Sequence, residues 1–287
     1  MIPLKKKTVR LILPQWQGGM NPNYVIGAEI LAAIVPQSST TETLKIPVSQ
    51  TAETHSKVDG EETLLRQMRT TYETLQTKQA DRVITLGGDC SISEAPFDYL
   101  HGRYPNHFGM IWLDAHPDIS SDQNSHHVHE MVVANLLKKG APKFSHQVAN
   151  PLTADQVFFA GLQYRDLRAM DQMVNTLKIP YATPEQTRGD HGAILAWLKQ
   201  NEIKHLVIHW DLDVLSPDDY RSILPAEPYL KRDQFGAAIG DLKLKEVIQL
   251  LLDLGQITDI VGLSIAEHMP WDAINLRSGL AKLPIFE

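Results

Sequence analysis

The sequence predicts an α/β fold, with a mostly parallel central sheet and helices on both faces. Two observations carry that reading. Short apolar runs without polar alternation recur along the 287 residues, as strands buried on both faces require, and stretches of helical periodicity separate them. Two of these runs, Phe108–Leu113 and 206–210, break at their carboxyl ends into ligand-type side chains. Open parallel sheets bind their ligands at that edge.

A first strand is expected over 9–13, then a polar, Gly-containing turn over 15–23 and a helix over 24–34. The Ser/Thr cluster 38–43 precedes a short strand over 44–48. Residues 61–78 are charged and amphipathic, which makes a surface helix. The strand over 82–86 ends in Gly87-Gly88-Asp89-Cys90, and Ser91-Ile92-Ser93-Glu94 reads as a capping box opening the next helix. After the Phe108–Leu113 strand come a polar loop over 119–128 and a helix near 129–139. A strand over 156–161, a helix over 165–177, a short strand over 179–181 and a helix over 193–200 follow. The strand over 206–210 leads into a Pro-bearing loop, 216–228. An apolar helix over 243–254, read as core packing, and a strand over 260–265 complete the series. Linkers, repeats and low-complexity segments are missing from this pattern, so 1–287 reads as one domain.

Hydrophobic residues make up 43% of the chain and charged ones 21%, which suits a folded chain with a substantial core. The net charge is -7 without a basic block, which argues against a nucleic-acid partner or an anionic membrane surface. No apolar run reaches the length of a membrane span, and residues 1–7 are not followed by a signal-like apolar core. A cytoplasmic location is therefore expected. The single cysteine, Cys90, rules out an internal disulfide and suits a reducing compartment.

Asp114, His116 and Asp118 follow the first of the two acidic-ended runs at every second position, so an extended chain points all three the same way. Asp211 and Asp213 follow the second run with the same spacing. Desolvating such groups is costly unless something pairs them, and a divalent cation is the commonest partner. Gly87–Ser91 and the loop bearing His126, His127 and His129 are two further segments able to contribute. Carboxylates with imidazole suit Mn²⁺, Zn²⁺ or Fe²⁺, and an oxygen-rich set favours Mn²⁺. Five or six ligands exceed one tetrahedral zinc but fit two metals about 3.5–4 Å apart that share carboxylates. A pair of that kind makes a water acidic enough to act near neutral pH.

Three motifs, Gly87-Gly88-Asp89-Cys90-Ser91, Asp114-Ala115-His116-Pro117-Asp118 and Asp211-Leu212-Asp213-Val214-Leu215-Ser216-Pro217, resemble in this order the metal motifs of the arginase, agmatinase and formiminoglutamase family, the ureohydrolases. The resemblance runs over nearly the whole chain. It implies an arginase-like three-layer α/β/α fold and hydrolysis of a C–N bond in a linear guanidino or amidino compound. It also implies two Mn²⁺ ions, and family members often form homo-oligomers. By the same likeness Asp114 and Asp211 are bridging ligands, His116 and Asp213 complete one metal site, and Asp118 and Cys90 complete the other. Cys90 stands where the family usually has histidine, and its softer thiolate brings Zn²⁺ or Fe²⁺ into range. His129 resembles the loop histidine that passes protons to the leaving amine, with Glu130 in place of the usual glycine. Glu267, in Gly262-Leu263-Ser264-Ile265-Ala266-Glu267, resembles the glutamate that pairs with the guanidinium, a planar cation best held by a bidentate anion. Ser120 stands where arginases place an Asn, and 225–228 replaces the usual Gly-Gly-Leu. Both differences point away from L-arginine itself as substrate.

Other readings accompany these. Asp89 is expected to order its turn by hydrogen bonds. His126 and His127 read as surface or rim residues, and His191, His205 and His209 as structural. Glu267 has an alternative as a partner of Arg277 or His268. The rival at the level of function is a binding or regulatory protein on the same fold with reduced metal occupancy.

Overall fold

The computed structural model describes residues 6–54, 57–283 and 285; the first five residues, read above for a signal-like run, lie outside this set. Chain order begins with β1 (Thr8–Leu13), α1 (Asn23–Ile34), β2 (Glu42–Lys45), α2 (Glu61–Lys78), β3 (Arg82–Gly87), α3 (Glu94–Arg103) and β4 (Phe108–Leu113). It continues with α4 (Val132–Leu136), α5 (Pro142–Gln147), β5 (Val157–Ala160), α6 (Met173–Leu177), β6 (Tyr181–Ala182) and α7 (Pro184–Arg188). The remaining elements are α8 (Gly192–Gln200), β7 (His205–Asp211), α9 (Leu244–Ile257), β8 (Asp259–Ala266) and α10 (Trp271–Leu280).

Among the described residues the strands form one eight-stranded sheet in the order β2-β1-β3-β8-β7-β4-β5-β6. Every pairing is parallel. The connections β1→β2, β6→β7 and β7→β8 step across the sheet in one direction, and the other four step the opposite way. Crossovers of uniform hand must then place the two groups of helices on opposite faces. The two large apolar cores follow that division. One packs Leu75, Phe97, Val132 and Val174, from α2, α3, α4 and α6, against Val9, Met110, Trp112 and Val207 of the sheet. The other packs Leu31, Ile194 and Leu250, from α1, α8 and α9, against Leu86, Ile111, Phe158 and Ile208. A sheet between two helical layers is the three-layer α/β/α architecture. All six residues of β4 are buried, so each of its faces feeds a different core.

Several local expectations shift for physical reasons. The second strand pairs with β1 over Glu42–Lys45 rather than 44–48, in the parallel register Val9 with Glu42 to Ile12 with Lys45. Asp89 caps the 3₁₀ turn Cys90–Ser93 ahead of α3, its carboxylate accepting from the Ser91 amide, and Ser93 at the start of α3 makes no side-chain cap, so Ser91–Glu94 is not a capping box. The expected helix over 165–177 breaks into two 3₁₀ turns and the short α6, since Arg168 is drawn to Asp171 and away from a helical path. The helix near 129–139 is likewise a 3₁₀ turn followed by the short α4. Helices α5, α7 and α10 have periodicity too brief or too mixed to stand out in the sequence. Among the described residues no helix is long and apolar enough to cross a membrane.

Candidate metal centre

The strands β3, β8, β7 and β4 are adjacent at the middle of the sheet, and the chain just past each carboxyl end contributes to one cluster. From β4 come Asp114, His116 and Asp118, and from β7 come Asp211 and Asp213. The β3 turn brings Cys90, and the end of β8 brings Glu267. Gly88 makes the β3 turn possible: a Cβ there would overlap the Gln15 carbonyl, and the Gly88 carbonyl accepts from the Glu267 amide at 2.7 Å. Asp89 holds the same turn, accepting from Ser91 N at 3.0 Å and Gly19 N at 3.1 Å, which is the ordering role expected of it. Asp118 (φ 43°) and Glu267 (φ 61°) both lie in the left-handed region. For side chains with a Cβ that conformation costs on the order of 1 kcal/mol or more and persists where surrounding contacts hold it.

Among the described residues the side chains fall into four overlapping groups of possible ligands, two of which share Asp114. Ligand atoms of Asp114, His116 and Asp213 lie within 4.8 Å of one another, as do those of Cys90, Asp114, Asp118 and His209. Asp114 belongs to both, and its two oxygens divide between them. Oδ1 stands 3.3 Å from His116 Nδ1, which is also 3.4 Å from Asp213 Oδ2. Oδ2 accepts from Trp112 Nε1 at 3.0 Å and faces His209 Nε2 at 3.9 Å. Asp211 divides in the same way: Oδ1 accepts from the Asp213 amide at 2.7 Å, and Oδ2 accepts from Cys90 Sγ at 2.9 Å. Asp118 Oδ2, Asp213 Oδ1 and His209 Nε2 are buried without a hydrogen-bond partner among the described residues.

Packing so many acids together has an electrostatic price that the side chains register. Burial, with Asp213 close by, pushes Asp114 up to about 7. Burial also raises Asp118 and Asp211 well above the ordinary carboxylate range, with Asp114 and Asp213 respectively adding to it. The Cys90 thiol is pushed up by burial and then by Asp211. Asp213 goes the other way, because His116 outweighs the effect of burial. Groups that hold their protons this tightly, beside orphaned oxygens and an orphaned imidazole nitrogen, form a donor set that fits divalent cations.

A cavity of about 80 Å³ opens over the cluster. His129 borders it from the 3₁₀ turn Val128–Met131, and its Nδ1 stands 3.0 Å from Glu267 Oε1. Burial works against charging this ring, but Glu267 prevails and holds its pKa at about 10. Glu267 Oε1 also accepts from Cys90 Sγ at 3.4 Å, and the buried Tyr24 lies beside the same carboxylate. Arg277 instead reaches Asn23, so it is not the partner of Glu267. His126 is exposed and hydrogen-bonded to the Lys57 carbonyl, and His127 is half-buried. Ser120 is buried, with Oγ donating to the Glu130 carbonyl at 2.7 Å, and does not line the cavity.

Sequence reasoning missed three contributors. Arg168 lines the cavity, held by Glu130 at 2.6 Å and by Asp171 at 3.0 Å. Tyr24 reaches Glu267 from the start of α1. His209, read as a structural histidine without supporting neighbours, in fact has Asp114, Cys90 and Asp118 beside it. Its position two residues before Asp211 was the available signal, because side chains two apart share a strand face.

Residues 20–229 match the sequence profile described as the Arginase family. An arginase of Entamoeba histolytica is 19% identical over 192 residues, which are 66% of this chain and 62% of that relative. The chain thus spans less than two thirds of the length of that relative. The crystal structure of the Entamoeba histolytica arginase in complex with L-ornithine superposes with a TM-score of 0.78 at 16% identity, covering 92% of each chain. Arginase from Bacillus caldovelox gives 0.70 at 20% identity, covering 93% of this chain and 92% of that one. Formimidoylglutamase from Bacillus subtilis gives 0.68 at 15% identity, covering 94% and 82%. At such identities the solved structures establish the fold, and the profile, matched over more than half of the length, establishes the lineage: the chain belongs to the arginase family.

Proposed function

We propose that this chain is a binuclear-metal hydrolase that cleaves a C–N bond of a linear guanidino or amidino compound. The observation that carries the reading is Asp114, whose two oxygens face two different ligand groups. Asp211 repeats that division and would be the second bridge. Bound there, two divalent ions would supply an acidified water and a Lewis acid for the charge that develops on the amidino group. His116 and Asp213 would hold one ion, and Cys90 and Asp118 the other. The oxygen-rich set suits Mn²⁺, while thiolate and imidazole keep Zn²⁺ and Fe²⁺ in range.

The protein's own groups would do the rest. Glu267, fixed by the Gly88 carbonyl at its amide and by His129 at its carboxylate, presents a buried carboxylate to a planar cation. His129 keeps its proton at neutral pH and stands at the cavity wall, where it would deliver that proton to the departing amine. Arg168 and Glu130 together line the wall, so the tail of the substrate would meet both a donor and an acceptor. Within this substrate class the candidates are agmatine-like, guanidino-acid, formimino and hydroxyguanidino compounds, since Ser120 and 225–228 point away from L-arginine itself.

The test is metal analysis of the full chain, joined to a screen of guanidino and amidino compounds for urea, formamide or amine release with added Mn²⁺. Two bound ions and release from at least one compound are expected. Asp114→Asn should lose both ions and all turnover while keeping the fold. Two retained ions in Asp114→Asn would overturn the bridging role. Two ions with no release from any compound would instead favour a binding protein on this fold.

A further inference from the structure

We propose that His209 is itself a metal ligand, its Nε2 adding a nitrogen donor to the site of Cys90, Asp114 and Asp118 that Asp211 would also bridge. This deepens the binuclear reading and rests on it. The placement follows from strand geometry. Trp112, His209 and Ser264 pair across β4, β7 and β8, and the next row along the same face of β7 begins with Asp211. His209 therefore sits directly beneath the acidic cluster and is fully buried.

Its ring is fixed from two sides. Trp112 stacks on it with centroids 3.6 Å apart and planes 15° from parallel. Nδ1 is hydrogen-bonded to Ser93 Oγ at 2.7 Å, and Ser93 is bonded in turn to Ser264 Oγ at 2.6 Å. With Nδ1–H donating to Ser93, the tautomer leaves the Nε2 lone pair free, which is how ligating histidines are usually held from behind. That nitrogen has no hydrogen-bond partner among the described residues. A buried imidazole nitrogen left unpaired is costly, and a ring kept only for stacking would have no reason to aim it at carboxylates. The nearest oxygen, Asp114 Oδ2, is 3.9 Å away, too far for a hydrogen bond. It is close to the spacing of two donors on one tetrahedral ion, roughly 3.3–3.8 Å for bonds of about 2.0–2.3 Å.

The decisive measurement uses the unmodified chain, stripped by a chelator and loaded with an NMR-active cadmium isotope, with nitrogen-labelled histidine. A ring nitrogen bonded to cadmium shows a one-bond scalar coupling. Two coupled nitrogens of different type are expected, Nδ1 of His116 and Nε2 of His209. Coupling at His116 alone, with two ions bound, overturns the role of His209 and leaves the binuclear reading standing. Failure to take up cadmium overturns both. His209→Gln should bind one ion in place of two, or hold the second at least about tenfold more weakly. Unchanged stoichiometry and affinity in that variant would also overturn the proposal, and because the coupling is read without substitution, a variant that fails to fold does not remove the test.

Discussion

His129 is charged by its neighbour more than by its exposure. Its side chain is 24% accessible, yet the Glu267 carboxylate holds the proton on to about pH 10. The sign of the linkage follows: the pair's contribution to stability is fully present below the ordinary histidine range and is lost as pH rises through about 10. As a proton donor within the cavity, His129 has a specific effect on turnover. His129→Ala should lower kcat by roughly a hundredfold while both metals remain bound, and added imidazole should restore part of the rate. Metal content and kcat measured on the same preparation check this, and an unchanged kcat would move the role elsewhere.

At the scale of the element, α3 carries a penalty that has nothing to do with the cleft. Glu94 opens this helix, where the exposed amides favour an anion, but it is 3% accessible and burial pushes it up to about 8. Asn135 Nδ2 donates to its Oε2 at 3.0 Å, which only partly offsets that burial. Because the folded pKa is the raised one, the contribution to stability is greatest below the ordinary glutamate range. It is lost progressively as pH climbs towards 8 and is constant above that. Glu94→Gln should therefore flatten the Tm profile between about pH 5 and 8 and raise Tm at the upper end. Thermal melts of both proteins across that range decide it, and parallel profiles would mean that Glu94 ionises in the folded state without cost.

For the whole molecule, the acidic cluster of the candidate metal centre concentrates repulsion at the middle of the sheet. Asp114, Asp118, Asp211, Asp213 and Glu267 are all buried around Cys90 in a chain whose net charge is already -7. Ions that bind only the folded state stabilise it by about 2.7 kcal/mol at a hundredfold excess over Kd. Loading with Mn²⁺ should raise Tm and chelation should lower it. Uptake must displace protons from Asp114, Asp118, Asp211 and the Cys90 thiol, all held above their ordinary ranges, so the gain should grow from about pH 6 to 8. Calorimetry in buffers of different ionisation enthalpy would count those protons. A Tm indifferent to metal would remove the ions from the account of the fold's stability.

Much of this was legible in the chain before any coordinates. Apolar runs such as Phe108–Leu113 identify themselves as buried strands because a sheet covered on both faces admits no polar alternation, and the acidic residues after them mark the binding edge. Alternate spacing picked out Asp114, His116 and Asp118, and Asp211 and Asp213, as candidates, but an extended chain does not align them: the chain turns past each strand, Asp118 is left-handed and Asp213 lies in a 3₁₀ turn. Short helices such as α5 and α7 were not legible, because a stretch of one or two turns shows too little of the 3.6-residue period. Nor could spacing reveal that Arg168 turns back to Glu130, or that Tyr24 reaches Glu267 across more than two hundred residues. Those contacts exist only once non-neighbouring segments are packed. His209 shows the boundary most clearly: its strand face was readable from its distance to Asp211, but its partners lie in the turn after β3, on and after β4, and on β8. The order in which parallel strands assemble is set by crossovers and core packing, and that order, absent from any local pattern, brought the imidazole beneath the cluster.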